Sequence, residues 1–342
     1  MLWDLFCRVI DNYGDAGVCW RLAVDLASRG ERVRLWLDDQ SPLAWMAPMG
    51  HSGVQVIHWT DDTPALDPGE VVVEAFACDP PAEFVRRMAV AEPSPCWINL
   101  EYLSAESFVE RCHRLPSPQL AGPGAGLTKW FFYPGFTPAT GGLVRETELA
   151  QRQQRFDSAA WLESLGIEAR ADERRISLFC YANTALPTLF DSLADMPTLL
   201  LATADMQVPP SKGLLRCIKL PRLTQRDYDH LLWCCDLNFV RGEDSFVRAQ
   251  WAGKPFAWQI YPQHDDAHLV KLQAFADLYL ESAPVELAQP LRSLWSAWNG
   301  AGGSLVLPRL QPWHGHAQAW REQLQAQVDL GSQLIRFASE KG

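Results

Sequence analysis

Residues 2–10, Leu2-Trp3-Asp4-Leu5-Phe6-Cys7-Arg8-Val9-Ile10, run straight into Asp11-Asn12-Tyr13-Gly14-Asp15 and then into residues 17–29, closed by Gly30. The first run is mostly apolar and short, as a buried strand is. The second is dense in turn-forming residues. The third carries Val18, Leu22, Ala23, Leu26 and Ala27 at helical spacing, with a glycine just past its end. Strand, turn, helix is the opening of a parallel α/β unit, and the pattern repeats. Strands are expected at residues 33–37, 54–58, 71–75 and 96–100, with a helix over 81–90.

The alternation fades after Leu103. Residues 115–142 are rich in proline and glycine around the aromatic run Trp130-Phe131-Phe132-Tyr133, and residues 145–165 predict a polar helix. Strands return at 175–180, 198–202, 214–220, 237–240 and 256–259, with helices near 186–193, 224–234 and 244–252. Residues 313–338 predict one long amphipathic helix. Two α/β sheets in tandem follow, with ligands expected at the carboxyl ends of their strands.

Composition sets the class. The 342 residues include 30 Lys+Arg and 41 Asp+Glu, a formal charge of −11, with 48% apolar residues, so a folded chain of about two domains is expected. The acidic balance argues against a nucleic-acid partner. There is no apolar run of membrane-spanning length and no basic, apolar leader, so a cytoplasmic protein is expected, with no membrane partner. Nine cysteines form no C-x-x-C pair and fall mostly in apolar runs, as buried thiols do.

Two turns carry candidate chemistry. Asp11 and Asp15 flank a glycine turn at the carboxyl end of the first strand, where they could share a crevice. They fit equally a capped helix start, with Asp15 taking free N–H groups and Asp11 an Asx turn. Arg241-Gly242-Glu243-Asp244-Ser245 occupies the matching position after a later strand. A guanidinium, a hydroxyl and a helix N-terminus there make an anion cradle, or else an ordinary cap. Neither turn is a G-x-G-x-x-G fingerprint. His264-Asp265-Asp266-Ala267-His268 has paired histidines but no evident third ligand. Asp227-Tyr228-Asp229 imitates a metal-binding D-x-D inside a helix, where a solvated face is expected, and His314 and His316 read as surface residues. No metal is expected.

The string Asp11 to Val18 with Trp20-Arg21-Leu22-Ala23 resembles the start of the elongation factor P arginine rhamnosyltransferases (EarP type). So do Trp97-Ile98-Asn99-Leu100-Glu101-Tyr102-Leu103, Phe132 to Phe136 with Thr140-Gly141-Gly142, and Arg241 to Gln250. The resemblance implies a GT-B glycosyltransferase of two facing Rossmann-like domains. The first would span residues 1–172 and meet the protein acceptor, joined by a C-terminal helix at about 326–342 that crosses back. The second, 173–325, would hold the nucleotide sugar. The implied reaction moves L-rhamnose from dTDP-β-L-rhamnose, with inversion and with no cofactor, to an arginine of elongation factor P, which helps ribosomes stalled at proline runs.

By the same resemblance Asp15 is the base or the carboxylate that orients the acceptor guanidinium, Asp11 supports it, and Glu243 is the other catalytic carboxylate. Tyr13, Gly14 and Ala16 line the sugar pocket with Asp15. Phe179, Tyr181 and Gln225 contact the nucleotide, Arg241, Gly242, Asp244 and Ser245 the diphosphate and sugar, and Tyr261 lies nearby. Where the family has two phenylalanines, this chain has Arg222 and Tyr228; either can stack on a base. The competing readings are a non-catalytic module that binds nucleotide sugar or elongation factor P, and a nucleotide-sugar enzyme of another reaction type.

Overall fold

The computed structural model describes residues 1–11, 13–60, 63, 66–263 and 267–341. They form two compact units, one of Met1–Thr147 with Leu324–Gly342 and one of Glu148–Gln323. The first unit contains β1 (Leu2–Cys7), α1 (Gly14–Ser28), β2 (Arg32–Leu37), α2 (Leu43–Met46), β3 (Val54–His58), β4 (Val71–Ala75), α3 (Ala82–Val90), β5 (Cys96–Leu100), α4 (Phe108–Cys112), β6 (Pro116–Pro118) and β7 (Thr128–Phe132). Its sheet has the order β3-β2-β1-β4-β5-β7-β6, parallel except for β6 against β7. The order reverses between β1 and β4, so the loop after β1 stands at the switch point where such sheets hold ligands.

Burial on both faces explains the strand sequences. Val71-Val72-Val73-Glu74-Ala75 is buried throughout, with Val71 and Val73 in one core and Val72 in the other. β-branched residues suit both faces of a sheet covered by helices. Against one face lie Val18, Leu22 and Leu26 of α1, together with Leu330, Leu334 and Phe337 of the returning chain; Phe84, Val85 and Met88 of α3 cover the other.

The second unit contains α5 (Leu149–Gln154), α6 (Ser158–Ser164), β8 (Arg174–Leu178), α7 (Leu186–Leu193), β9 (Thr198–Ala202), β10 (Leu215–Lys219), α8 (Gln225–Cys234), β11 (Leu237–Arg241), α9 (Asp244–Ala252), β12 (Phe256–Gln259), α10 (Ala267–Leu280), α11 (Val285–Trp298) and most of α12 (Leu310–Gln325). Its sheet is parallel, in the order β10-β9-β8-β11-β12. The reversal falls between β8 and β11, so both strands deliver their following loops to one switch point. An aromatic core of Phe246, Phe256, Phe275, Tyr279, Trp295 and Trp320 packs α9 to α12 against β12.

Several boundaries differ from the sequence expectation. The units divide at Thr147/Glu148 and not at 172/173. The reason is packing: Arg152 pairs with Asp229 at 3.2 Å, Gln153 donates to the Ala252 carbonyl, and Leu162 joins the core of Leu199, Leu201 and Leu231. The polar helix expected at 145–165 is α5 and α6, separated where Asp157 accepts the Ala159 and Ala160 amides. The helix expected at 313–338 is α12 and α13 (Leu330–Lys341), broken where Asp329 accepts the Ser332 amide. The first strand stops at Cys7, because the chain beyond it turns its amides to side chains.

The return of α13 is secured by Arg29 of the chain just after α1. Its guanidinium bonds Asp25 at 3.0 Å, Asp329 at 2.8 Å and Ser332 at 2.7 Å. Gly331 faces Asp25 so closely that a Cβ there would lie 2.1 Å from its Oδ2.

Candidate active site

The loop from β1 to α1 gathers the candidate residues of the first unit. Asp15 lies in the first turn of α1 and is only 3% exposed. It does not cap the helix: its Oδ2 accepts the amides of Ile10 at 2.8 Å and Asp11 at 2.9 Å, in the loop before it. Burial pushes its pKa above the usual carboxylate value, those two amides pull the other way, and the charge of Asp38 adds to the rise. The result is an anion held in place but poorly hydrated, and therefore a better proton acceptor than a surface aspartate.

Gly14 permits the close approach of Asp11. Its amide donates to the Asp11 carbonyl at 2.6 Å, and a Cβ at residue 14 would lie 2.7 Å from Asp11 Oδ2. Asp11, Tyr13, Gly14, Asp15 and Ala16 are thus gathered in one turn, while Asn12 lies outside the described residues. Sequence reasoning missed two neighbours. Asp38 follows β2 and accepts the Val9 amide at 2.9 Å, pinning the start of the loop. Trp45 of α2 meets the Tyr13 ring edge-on at 5.1 Å. The place of Asp38 after a strand was the available signal; nothing marked Trp45.

In the second unit, the loops after β8 and β11 gather its candidate residues. The guanidinium of Arg241 stands 4.2 Å from the Phe179 ring centre and 4.6 Å from that of Tyr181, and it donates to the Cys180 carbonyl at 3.1 Å. These contacts fix a planar cation at the end of the sheet. Gly242 turns the chain with φ of 63°, in the left-handed region glycine favours. Ser245 ties the turn, its hydroxyl donating to the Arg241 carbonyl and accepting the Arg241 amide. Glu243 occupies the N-cap of α9 without bonding it through its side chain. The positive end of α9 and the Arg241 cation meet there, as a diphosphate requires.

Aromatic rings extend the same wall. Tyr228 of α8 meets Phe179 at 5.8 Å and Tyr261 meets Tyr181 at 5.5 Å, while the Tyr181 amide donates to Gln259. Gln225 is three residues before Tyr228 on α8, on the same side of the helix. Arg222 is exposed and pairs with Asp205 at 3.7 Å.

Other candidates resolve structurally. Asp229 is 1% exposed and buried between Arg248 and Arg152, which corrects the solvated face expected for Asp227-Tyr228-Asp229. His316 is also buried, bonded to the Tyr279 carbonyl at 2.8 Å, contrary to the surface position expected. His264, Asp265 and Asp266 lie outside the described residues. Among the described residues no three His, Cys, Asp or Glu side chains gather as a metal site, and no helix is long and apolar enough to cross a membrane.

Known proteins share this arrangement from end to end. Residues 3–339 match the family model of "Elongation-Factor P (EF-P) rhamnosyltransferase EarP". The chain is 42% identical to the protein-arginine rhamnosyltransferase of Pseudomonas aeruginosa, with 99% of each covered, and 38% identical to that of Shewanella oneidensis, with 99% of this chain and 98% of the relative covered. A solved structure described as the basis for EarP-mediated arginine glycosylation of translation elongation factor EF-P superposes with a TM-score of 0.65 at 32% identity, covering 99% of both chains. The spinosyn rhamnosyltransferase SpnG bound to thymidine diphosphate, at 12% identity and a TM-score of 0.51 over 99% of both chains, shares the fold. The architecture is that of a GT-B glycosyltransferase. The chain is a glycosyltransferase enzyme and belongs to the EarP family.

Proposed function

We propose that this enzyme transfers L-rhamnose from dTDP-β-L-rhamnose to an arginine side chain of elongation factor P, inverting the anomeric carbon. The observation that carries the reading is Asp15, a buried carboxylate with a raised pKa held by two loop amides beside Asp11. An arginine is a poor nucleophile, because its nitrogen lone pairs are delocalised and its pKa lies above about 12. Carboxylates that grip the guanidinium localise density on one nitrogen through charge-assisted bonds. That nitrogen attacks the sugar C1 as the bond from C1 to the diphosphate oxygen breaks. The proton it sheds passes to Asp15, with Asp11 holding the remaining N–H groups and Glu243 as the second catalytic carboxylate.

The leaving diphosphate is stabilised by Arg241, Ser245 and the N-terminus of α9, with Gly242 and Asp244 shaping the turn. Phe179, Tyr181, Gln225, Tyr228 and Tyr261 receive the thymidine, and Tyr13, Gly14 and Ala16 the rhamnose. The reading needs no metal or other cofactor. It places the reaction in the cytoplasm, where a modified elongation factor P relieves ribosomes stalled at proline runs. The names of the family and its relatives support acceptor and sugar alike.

The test is the intact mass of elongation factor P after incubation with this enzyme and dTDP-rhamnose without added metal. A gain of one deoxyhexose, abolished when the acceptor arginine is replaced by lysine, is expected. No gain while dTDP-rhamnose still binds would overturn the assignment in favour of a silent binder or another acceptor.

A further inference from the structure

On the first unit, far along the sheet from the β1 loop in strand order, a cavity of about 420 Å³ opens between residues 113–114, the 138–140 loop and the returning chain at 326–328, with Gln333 and Arg336 of α13 completing its wall. Its volume is within the range of small-ligand sites. The lining includes His113, Arg114 and Arg336, and among the described residues that line it none is acidic. In a chain with 41 acidic residues against 30 basic ones, that is a pronounced local reversal of charge.

Arg114 is built into the wall. Arg114 adopts φ of 62°, in the left-handed region uncommon for a residue with a side chain, and its amide donates to the Phe131 carbonyl at 2.7 Å. Its guanidinium lies over Phe337 at 5.3 Å and Phe132 at 5.8 Å, yet its buried Nε has no hydrogen-bond partner. His113 accepts the Tyr133 amide at Nδ1, which puts its ring hydrogen on Nε2, and that buried nitrogen also lacks a partner. Burial, with Arg114 beside it, pushes the histidine pKa down to about 4, so the ring is a neutral donor at physiological pH. Those two nitrogens are closed off inside the wall, but the Arg114 and Arg336 side chains line the cavity with no acidic residue among its described lining, and an anion in that space supplies the counter-charge. The amides of Gln327 and Gln333, meanwhile, are engaged in fixing the wall, donating to the carbonyls of Phe136 and Thr140.

We propose that this cavity binds a small oxyanion, a phosphate or carboxylate group, between Arg114 and Arg336, and that its occupant fastens the returning segment 326–336 to the first unit. Guanidinium forks suit the flat or tetrahedral faces of such groups. The site is separate from the glycosyl-transfer residues and does not depend on their roles.

The test is NMR titration of the full chain with inorganic phosphate and with citrate, against chloride at matched ionic strength. The readouts are the His113 ring and the Gln327 and Gln333 side-chain amides. Saturable shifts are expected with at least one oxyanion and none with chloride. The phosphate and citrate arms distinguish a phosphate-ester from a carboxylate source. Arg336→Gln, on an exposed residue, weakens binding about 10–100-fold, as loss of a charge-assisted hydrogen bond does. Arg114→Gln does the same, and Arg241→Gln leaves it unchanged. Equal shifts with chloride, no saturation, or shifts that disappear with Arg241→Gln and persist with Arg336→Gln would overturn the proposal.

Discussion

Replacing Asp15 by asparagine separates chemistry from architecture at this site. The amide side chain has the same shape and keeps an oxygen for the Ile10 and Asp11 amides, now bonded at 2.8 and 2.9 Å. Only the charge goes. Because burial raises the folded-state pKa above the usual 3.8, the protonated carboxyl is the form the fold prefers. The stability it contributes is complete below pH 3.8 and is lost as pH rises through the raised value. At neutral pH the ionised group is therefore a cost that asparagine avoids, and the variant should melt no lower than the parent. Catalysis should respond in the opposite direction. Loss of a general base costs about 10²–10⁴ in kcat, about 3–5 kcal/mol of barrier. The assay is the initial rate of deoxyhexose addition to elongation factor P as pH is lowered from neutrality, with calorimetry at each pH. The parent should slow as pH falls toward the raised Asp15 value and the base is protonated, and the variant should lack that limb. A variant within about threefold of the parent rate refutes the role. A large loss of melting temperature in parallel with activity would instead make Asp15 a loop anchor.

Three further outcomes are expected. Arg241→Lys keeps the charge but loses the flat cation between Phe179 and Tyr181, so dTDP should bind about 10–100-fold more weakly by calorimetry; an unchanged affinity would remove Arg241 from the donor site. Asp229→Asn removes the shared counter-charge of Arg248 and Arg152, both held within 3.2 Å, and should destabilise the fold by about 3–5 kcal/mol in urea titration. Gly331→Ala sets a methyl against the Asp25 carboxylate and should lower stability by about 1–3 kcal/mol, with faster amide exchange in α13; unaltered exchange would show that the helix is not held there.

What the sequence revealed and what it concealed have physical causes. The strands β1, β4 and β9 were legible because a strand buried on both faces is a short apolar run between turns. β7 was not, since its Thr128-Lys129-Trp130-Phe131-Phe132 lies among prolines and glycines and is polar at its start; Lys129 bonds Glu74 at 2.5 Å instead of facing water. The long C-terminal helix failed on a similar point. Apolar spacing continues through residues 326–329, while the Leu330 amide is taken by the Leu143 carbonyl and starts a new helix. Asp11, Asp15 and the Arg241 turn were visible because they follow strands directly. Whether Asp15 caps its helix was open until the partners of its carboxylate were seen, because capping and loop-holding aspartates occupy the same position in sequence. The enclosure of Asp229 and His316 depends on Arg152, Arg248 and Tyr279, which are distant along the chain.

The first unit is discontinuous, made of Met1–Thr147 and Leu324–Gly342 with the whole second unit between them. During synthesis at about 5–20 residues per second, its sheet emerges roughly 10–40 s before the helix that covers it. Through that interval the ground that Leu334 and Phe337 will occupy, beside Leu22, Leu26 and Phe132, is open to water. A nascent chain in this state is a substrate for chaperones that shield apolar surface, and Leu324–Gly342 finish a unit begun by Met1–Thr147.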